Sequence, residues 1–174
     1  MTPPYRYRLD QAWHELELRD VYKQVGEVVE RLASLRWSSS PILVMGNGGS
    51  QSTAAHLVLH LRENKIPALD VMADNAYLTM LSNDFSYDEA PAHFRKTFPL
   101  SPAFAISGSG DSQNVISLLR DAPGLRIGLL GNNGGQALQY TTRAILLSTD
   151  DYSIIEDIHL SLVHMISEGL RGRS

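Results

Sequence analysis

From Asp10 to about Leu35 the apolar positions recur at helical spacing. Leu18, Tyr22, Val25, Val29 and Leu32 alternate four and three apart, as a coiled-coil seam does, and Arg36 ends the series. Val21, Val28 and Leu35 add a second stripe beside the first. The pattern reads as one long helix carrying more apolar surface than a single packing partner needs. Packing against another subunit, as well as on its own domain, is the expectation. Ser38-Ser39-Ser40-Pro41 closes the segment with breaker residues.

After Pro41 the pattern changes to short apolar runs, most of them followed by a polar or glycine-rich loop and a helical stretch. The runs are 42–45, 68–72, 103–106, 127–130 and 144–147. Helical stretches are expected at 50–62, 75–81, 112–120, 134–140 and from about 153 to 170. Strands rich in Ile, Leu and Val separated by helices predict an α/β fold, a buried parallel sheet with helices on both faces. Right-handed crossovers bring every strand-to-helix loop to one edge of that sheet, where a ligand should sit. The organisation is a single domain over 1–174: a helical segment at 1–40 and an α/β core at 41–174. There is no internal repeat.

Composition narrows the class. The 174 residues are 43% hydrophobic, enough for a core without disulfides or a structural metal. There is no cysteine, which excludes a thiol nucleophile, a Cys-type zinc finger and an iron–sulfur site. Fifteen Lys+Arg against nineteen Asp+Glu leaves a charge of −4 and no cationic footprint for nucleic acid. The apolar runs are strand-sized and the N-terminus has no apolar signal core, so neither a membrane span nor secretion is expected. A cytoplasmic location is. Thirteen glycines and six histidines remain to be explained.

Two strand-to-helix loops stand out, Met45-Gly46-Asn47-Gly48-Gly49-Ser50 and Ile106-Ser107-Gly108-Ser109-Gly110-Asp111-Ser112. Glycines let backbone approach a ligand. Hydroxyls and the free N–H groups of a helix start supply neutral donors, and the helix dipole favours an anion there. Neither loop continues into Gly-Lys-[Ser/Thr], and neither completes GxGxxG, because Gln51 and Gln113 take the third glycine's place. No nucleotide cofactor is expected. Ser107, Ser109 and Ser112 suit a phosphate held without Lys or Arg, which points to a phosphorylated small molecule.

His56 and His60 lie four residues apart on the helix after the first loop, so both project from one face, a spacing that suits two imidazoles on one metal. Glu156 and His164 are eight residues apart on the last helix, about 80° around it. They can converge on a site beside that helix.

Five blocks carry a resemblance to a known family. They are Gly46-Asn47-Gly48-Gly49-Ser50 with His56; Asn83-Asp84-Phe85; Ser107 through Val115; Gly131-Asn132-Asn133-Gly134-Gly135; and Ile155-Glu156-Asp157-Ile158-His159 with His164. In this order they resemble the sugar-isomerase (SIS) domain, most nearly its phosphoheptose-isomerase branch, over nearly the whole chain. The resemblance implies a three-layer sandwich with a five-stranded parallel sheet behind the N-terminal helix. It implies a homotetramer with active sites at subunit interfaces. The implied reaction converts sedoheptulose 7-phosphate to D-glycero-D-manno-heptose 7-phosphate through an enediol. Ser107, Ser109 and Ser112 would hold the phosphate, and Asn47, Gly48, Ser50 and Asp84 would contact the substrate. Positions matching His56, His60, Glu156 and His164 carry His, Glu, Gln and His in the branch, hold zinc in some members, and include the base and acid.

The chain departs from that pattern in places. The base position is His60 and the glutamine position is Glu156, so the set becomes three imidazoles and one carboxylate, still able to bind zinc. Enediol chemistry needs a base and an acid, which leaves Glu156 or His60 to abstract the proton and His164 to serve the oxygen or opposite carbon. Gly108 stands where the family has threonine, Thr53 where it has aspartate, and 62–67 is shorter and lacks the family's arginine. The alternatives are a non-catalytic SIS module that binds a sugar phosphate or a partner, and an isomerase of another ketose phosphate.

Overall fold

A computed structural model of the chain describes residues 3–173. Five strands form one parallel sheet in the order β2-β1-β3-β4-β5. They are β1 (Ile42–Met45), β2 (Ala68–Asp70), β3 (Ala103–Ser107), β4 (Arg126–Leu130) and β5 (Arg143–Leu146). Seven helices surround them: α1 (Tyr5–Leu18), α2 (Val21–Ala33), α3 (Gly48–Glu63), α4 (Asn75–Asp84), α5 (Ala90–Lys96), α6 (Gln113–Arg120) and α7 (Tyr152–Arg171). The expected α/β three-layer arrangement is present. No helix among the described residues is long and apolar enough to cross a membrane.

Period-two alternation along the strands divides the core. Ile42 and Val44, Phe104 and Ile106, and Ile127 and Leu129 join the buried faces of α1, α2, α3 and α7. Leu43 and Met45, Ala103 and Ala105, and Leu130 join α4, α5 and α6. The chain steps from β1 outward to β2, then returns past β1 to β3. Loops leaving β1 and β3 therefore diverge to opposite faces, and a crevice opens between them at the carboxyl ends of the strands.

The long N-terminal helix expected from the periodicity is two helices. Asp20 turns the chain between them with φ 57° and ψ 53°, a left-handed conformation that short polar side chains tolerate better than most. Val21, Val25, Val28, Val29 and Leu32 all bury within the chain, so most of both stripes is used internally. Leu18 and Tyr22, at the start of the seam, stay 74% and 66% exposed.

Two further differences are local. The stretch at 134–140 forms short 3-10 turns, Asn132–Gly134 and Gln136–Tyr140, around four successive positive-φ residues, 132–135. Helix α5 has no counterpart in the periodicity reading. It opens with Pro91 in its first turn and covers the second core with Ala90 and Phe94.

Candidate active site

The crevice between β1 and β3 is a cleft of about 270 Å³ lined by Asn47, Gly48, Gly49, Ser50, Ser107, Gly108, Ser109, Ser112, Tyr152 and Glu156. Three helices begin at it, α3, α6 and α7. Of these, α3 and α6 start without a side-chain capping bond and leave N–H groups and positive dipole ends toward it, whereas Asp151 caps α7 by accepting from Ser153 N–H. No Lys or Arg is among the lining residues. An anion here would be held by neutral donors.

The serine loop is wired to donate. Ser107 Oγ accepts from Gly110 N–H at 3.0 Å, and Ser109 Oγ accepts from Asp111 N–H at 3.1 Å. A hydroxyl that accepts from backbone keeps its own proton free to donate. Ser112 occupies the N-cap position of α6 without making a side-chain capping bond. The loop's shape is held from outside, because Asp111 Oδ1 accepts from Gln136 N–H at 2.9 Å.

The first loop is held by amides. Asn47 and Asn114 exchange two side-chain hydrogen bonds, 2.9 and 2.8 Å, and Tyr87 Oη donates to Asn47 Oδ1 at 2.9 Å. Gln51 ties Gly46 N–H to Asp70, at 3.0 and 2.7 Å. Gly49 faces the Glu156 carboxyl so closely that any Cβ would overlap it, and Gly108 lies in the same way against the Tyr152 ring. Both glycines leave room for a side chain of α7.

Histidines form the second group. His56 Nε2 lies 3.1 Å from His60 Nε2 and 3.1 Å from His164 Nε2. One ligand atom from each ring lies within 4.8 Å of the others. Tetrahedral zinc with bonds near 2.0–2.1 Å would set such nitrogens roughly 3.3 Å apart, so the donor set fits a divalent ion with little movement. Hydrogen bonding alone serves the trio poorly: a single Nε2 is either donor or acceptor, and His56 meets two others at once. Burial, with the neighbouring His60 and His164, pushes the His56 pKa down and favours the neutral, ligating form. Glu63 Oε2 lies 3.1 Å from His60 Nδ1, on the far side of that ring.

Glu156 stands outside the histidine trio. Eight residues of helix separate it from His164, a rise of about 12 Å, and its carboxyl is packed on Gly49 in the cleft. Of the residues singled out from sequence, Asn47, Gly48, Ser50, Ser107, Ser109, Ser112 and Glu156 line the cleft, and His56, His60 and His164 form the trio. Asp84, exposed at the end of α4, lines neither. His159 is fully buried, and burial alone lowers its pKa to about 3. Sequence reasoning passed over Tyr152, Tyr87 and Glu63. Only Glu63 had a signal, its i+3 spacing from His60.

No family model matches the chain. The phosphoheptose isomerase of Geotalea daltonii is 31% identical over 166 residues, covering 89% of this chain and 86% of the relative. That of Pelobacter propionicus is 30% identical over 171 residues, covering 90% and 89%. A solved phosphoheptose isomerase from Francisella tularensis superposes with a TM-score of 0.87 at 23% identity, over 97% of this chain and 95% of that one, and shows the same fold.

Proposed function

The chain belongs to the phosphoheptose isomerase family, and from that premise we propose that it interconverts sedoheptulose 7-phosphate and D-glycero-D-manno-heptose 7-phosphate through an enediol. The observation that carries the reading is the cleft, where serine hydroxyls, three helix starts and one carboxylate converge. Ser107, Ser109 and Ser112 would bind the phosphate by donating their hydroxyl protons, joined by backbone N–H groups at 48–50. Asn47 would act by holding its loop open, since its amide oxygen already accepts from Asn114 and Tyr87.

Proton transfer falls to Glu156 and His164. Glu156 lines the cleft and would abstract the proton next to the carbonyl of a sugar bound there. His164, exposed at the trio, would serve the oxygen or the neighbouring carbon. Both groups must act on the same pair of adjacent carbons, which about 12 Å of helical rise within one chain does not allow, so the proposed site would pair Glu156 and His164 across a subunit interface. His56, His60 and His164 would hold a divalent ion such as zinc through Nε2. Lewis-acid polarisation of the substrate carbonyl is what such an ion would supply. With their Nε2 lone pairs so used, neither His60 nor His164 could move a proton at that atom in the loaded site, where Glu156, outside the trio, would be the base. His164 would serve the oxygen or the neighbouring carbon only in the metal-free protein.

The reading includes a cytoplasmic homotetramer. Leu18, Tyr22, Trp37 and Leu100 are each at least 66% exposed and offer apolar surface to a neighbour. Asp84, exposed outside the cleft, would contact substrate at such an interface.

Incubation of the protein with sedoheptulose 7-phosphate in deuterium oxide, with and without chelator, tests the activity. The expected result is the aldose product carrying solvent deuterium at C2 by NMR. Binding of the sugar phosphate with neither product nor deuterium uptake would identify a non-catalytic module instead. Turnover persisting after removal of all metal would remove zinc from the mechanism.

A further inference from the structure

We infer that Glu63 is a positioning residue, which fixes the tautomer of His60 and so aims that ring's Nε2 lone pair into the three-histidine centre. The inference rests on the reading of His56, His60 and His164 as a divalent-metal site. It assigns a part to a residue three positions beyond the last histidine of α3.

The geometry is one-sided. His60 Nδ1 meets Glu63 Oε2 at 3.1 Å, and His60 Nε2 meets His56 Nε2 at 3.1 Å, so the two ring nitrogens face different partners. Helical i, i+3 spacing places the carboxylate over the ring without help from tertiary structure. An ionised carboxylate can only accept, which puts the imidazole proton on Nδ1. The other nitrogen must then carry a lone pair in neutral His60. It is also the nitrogen directed at His56 and, beyond it, His164. Glu63 is held in turn by Arg171, whose Nη2 lies 3.7 Å from the same oxygen.

A His ligand commonly donates its second N–H to a carboxylate, which orients the ring and strengthens it as a donor. Three neutral imidazoles bring no charge to a dication, and Glu63 is the carboxylate in contact with the trio. Glu156, the carboxylate offered by the sequence motif, lies in the cleft and cannot do this from there.

The test uses metal-stripped, full-length protein and zinc alone, with affinity measured by competition against a chromophoric chelator. Long-range nitrogen–proton NMR reads the His60 tautomer in the absence of metal. Wild type should show the Nδ1–H tautomer at His60. Glu63→Ala should mix the tautomers and weaken zinc binding tenfold to a hundredfold. Glu63→Gln, whose amide oxygen still accepts the bond but carries no charge, should fall between. Zinc affinity within twofold of wild type in both variants, or an Nε2–H tautomer at His60 in wild type, would overturn the inference and leave the metal reading standing. Wild type that takes up no zinc would overturn both.

Discussion

Gly46 and Gly49 are three residues apart in one loop and answer differently to an added methyl group. At Gly46 a Cβ would meet backbone, Ser50 C and O at 2.6 Å and Gln51 N at 2.9 Å. Backbone inside a helix start cannot step aside, so Gly46→Ala should cost about 1–3 kcal/mol of stability. At Gly49 the obstacle is the Glu156 carboxyl, the far end of a flexible side chain. It can move, and the fold should survive. Displacement of about 1 Å at a reacting group costs on the order of a hundredfold in rate. Gly49→Ala should therefore keep its melting temperature near that of wild type and lose about a hundredfold in kcat. A variant with full activity would remove Glu156 from proton transfer.

The elements show where pattern reading holds and where it stops. Strand bounds read from buried runs match to within a residue or two, because a continuous apolar run flanked by loop residues admits one placement. The break at Asp20 leaves no such mark: the apolar spacing runs on across it from Leu18 to Tyr22. A left-handed residue costs about 1–2 kcal/mol in an L-amino acid, less for Asp. Asp20→Gly should relieve that strain and raise stability by up to about 1 kcal/mol, whereas Asp20→Val should lower it by more than 1 kcal/mol. Urea unfolding of the two variants would check the sign, and equal midpoints would mean that the turn carries no strain. The site was legible to a similar depth. Glycines and serines punctuate the two loops, so the cleft could be placed at the sheet edge from sequence. The eight residues between Glu156 and His164 already set a rise of about 12 Å along α7; what the sequence does not show is that the Glu156 carboxyl packs on Gly49, a contact made only by the tertiary fold.

Across the whole molecule, α7 carries groups in three environments: Glu156 in the cleft, His164 exposed at the edge of the trio and His159 in the core. His159 has no hydrogen-bond partner for either ring nitrogen among the described residues. A fully buried imidazole without a hydrogen-bond partner must stay neutral, which is why its pKa falls from 6.5 to about 3. Between those values the unfolded chain binds a proton that the folded chain refuses. Stability is therefore complete above about pH 6.5 and is lost as pH falls toward 3, by up to about 1.4 kcal/mol per unit. His56, also lowered, adds in the same direction. At pH 5 the His159 share is about 2 kcal/mol relative to pH 7.5. Replacing the orphaned ring by an apolar side chain of similar size removes both the desolvated polar atoms and the proton linkage. His159→Leu should be at least as stable as wild type at pH 7.5 and should lose about 2 kcal/mol less on moving to pH 5, measured by urea unfolding at the two pH values. Parallel losses in both proteins would show that His159 takes up its proton in the folded state, and that the core around α7 admits water.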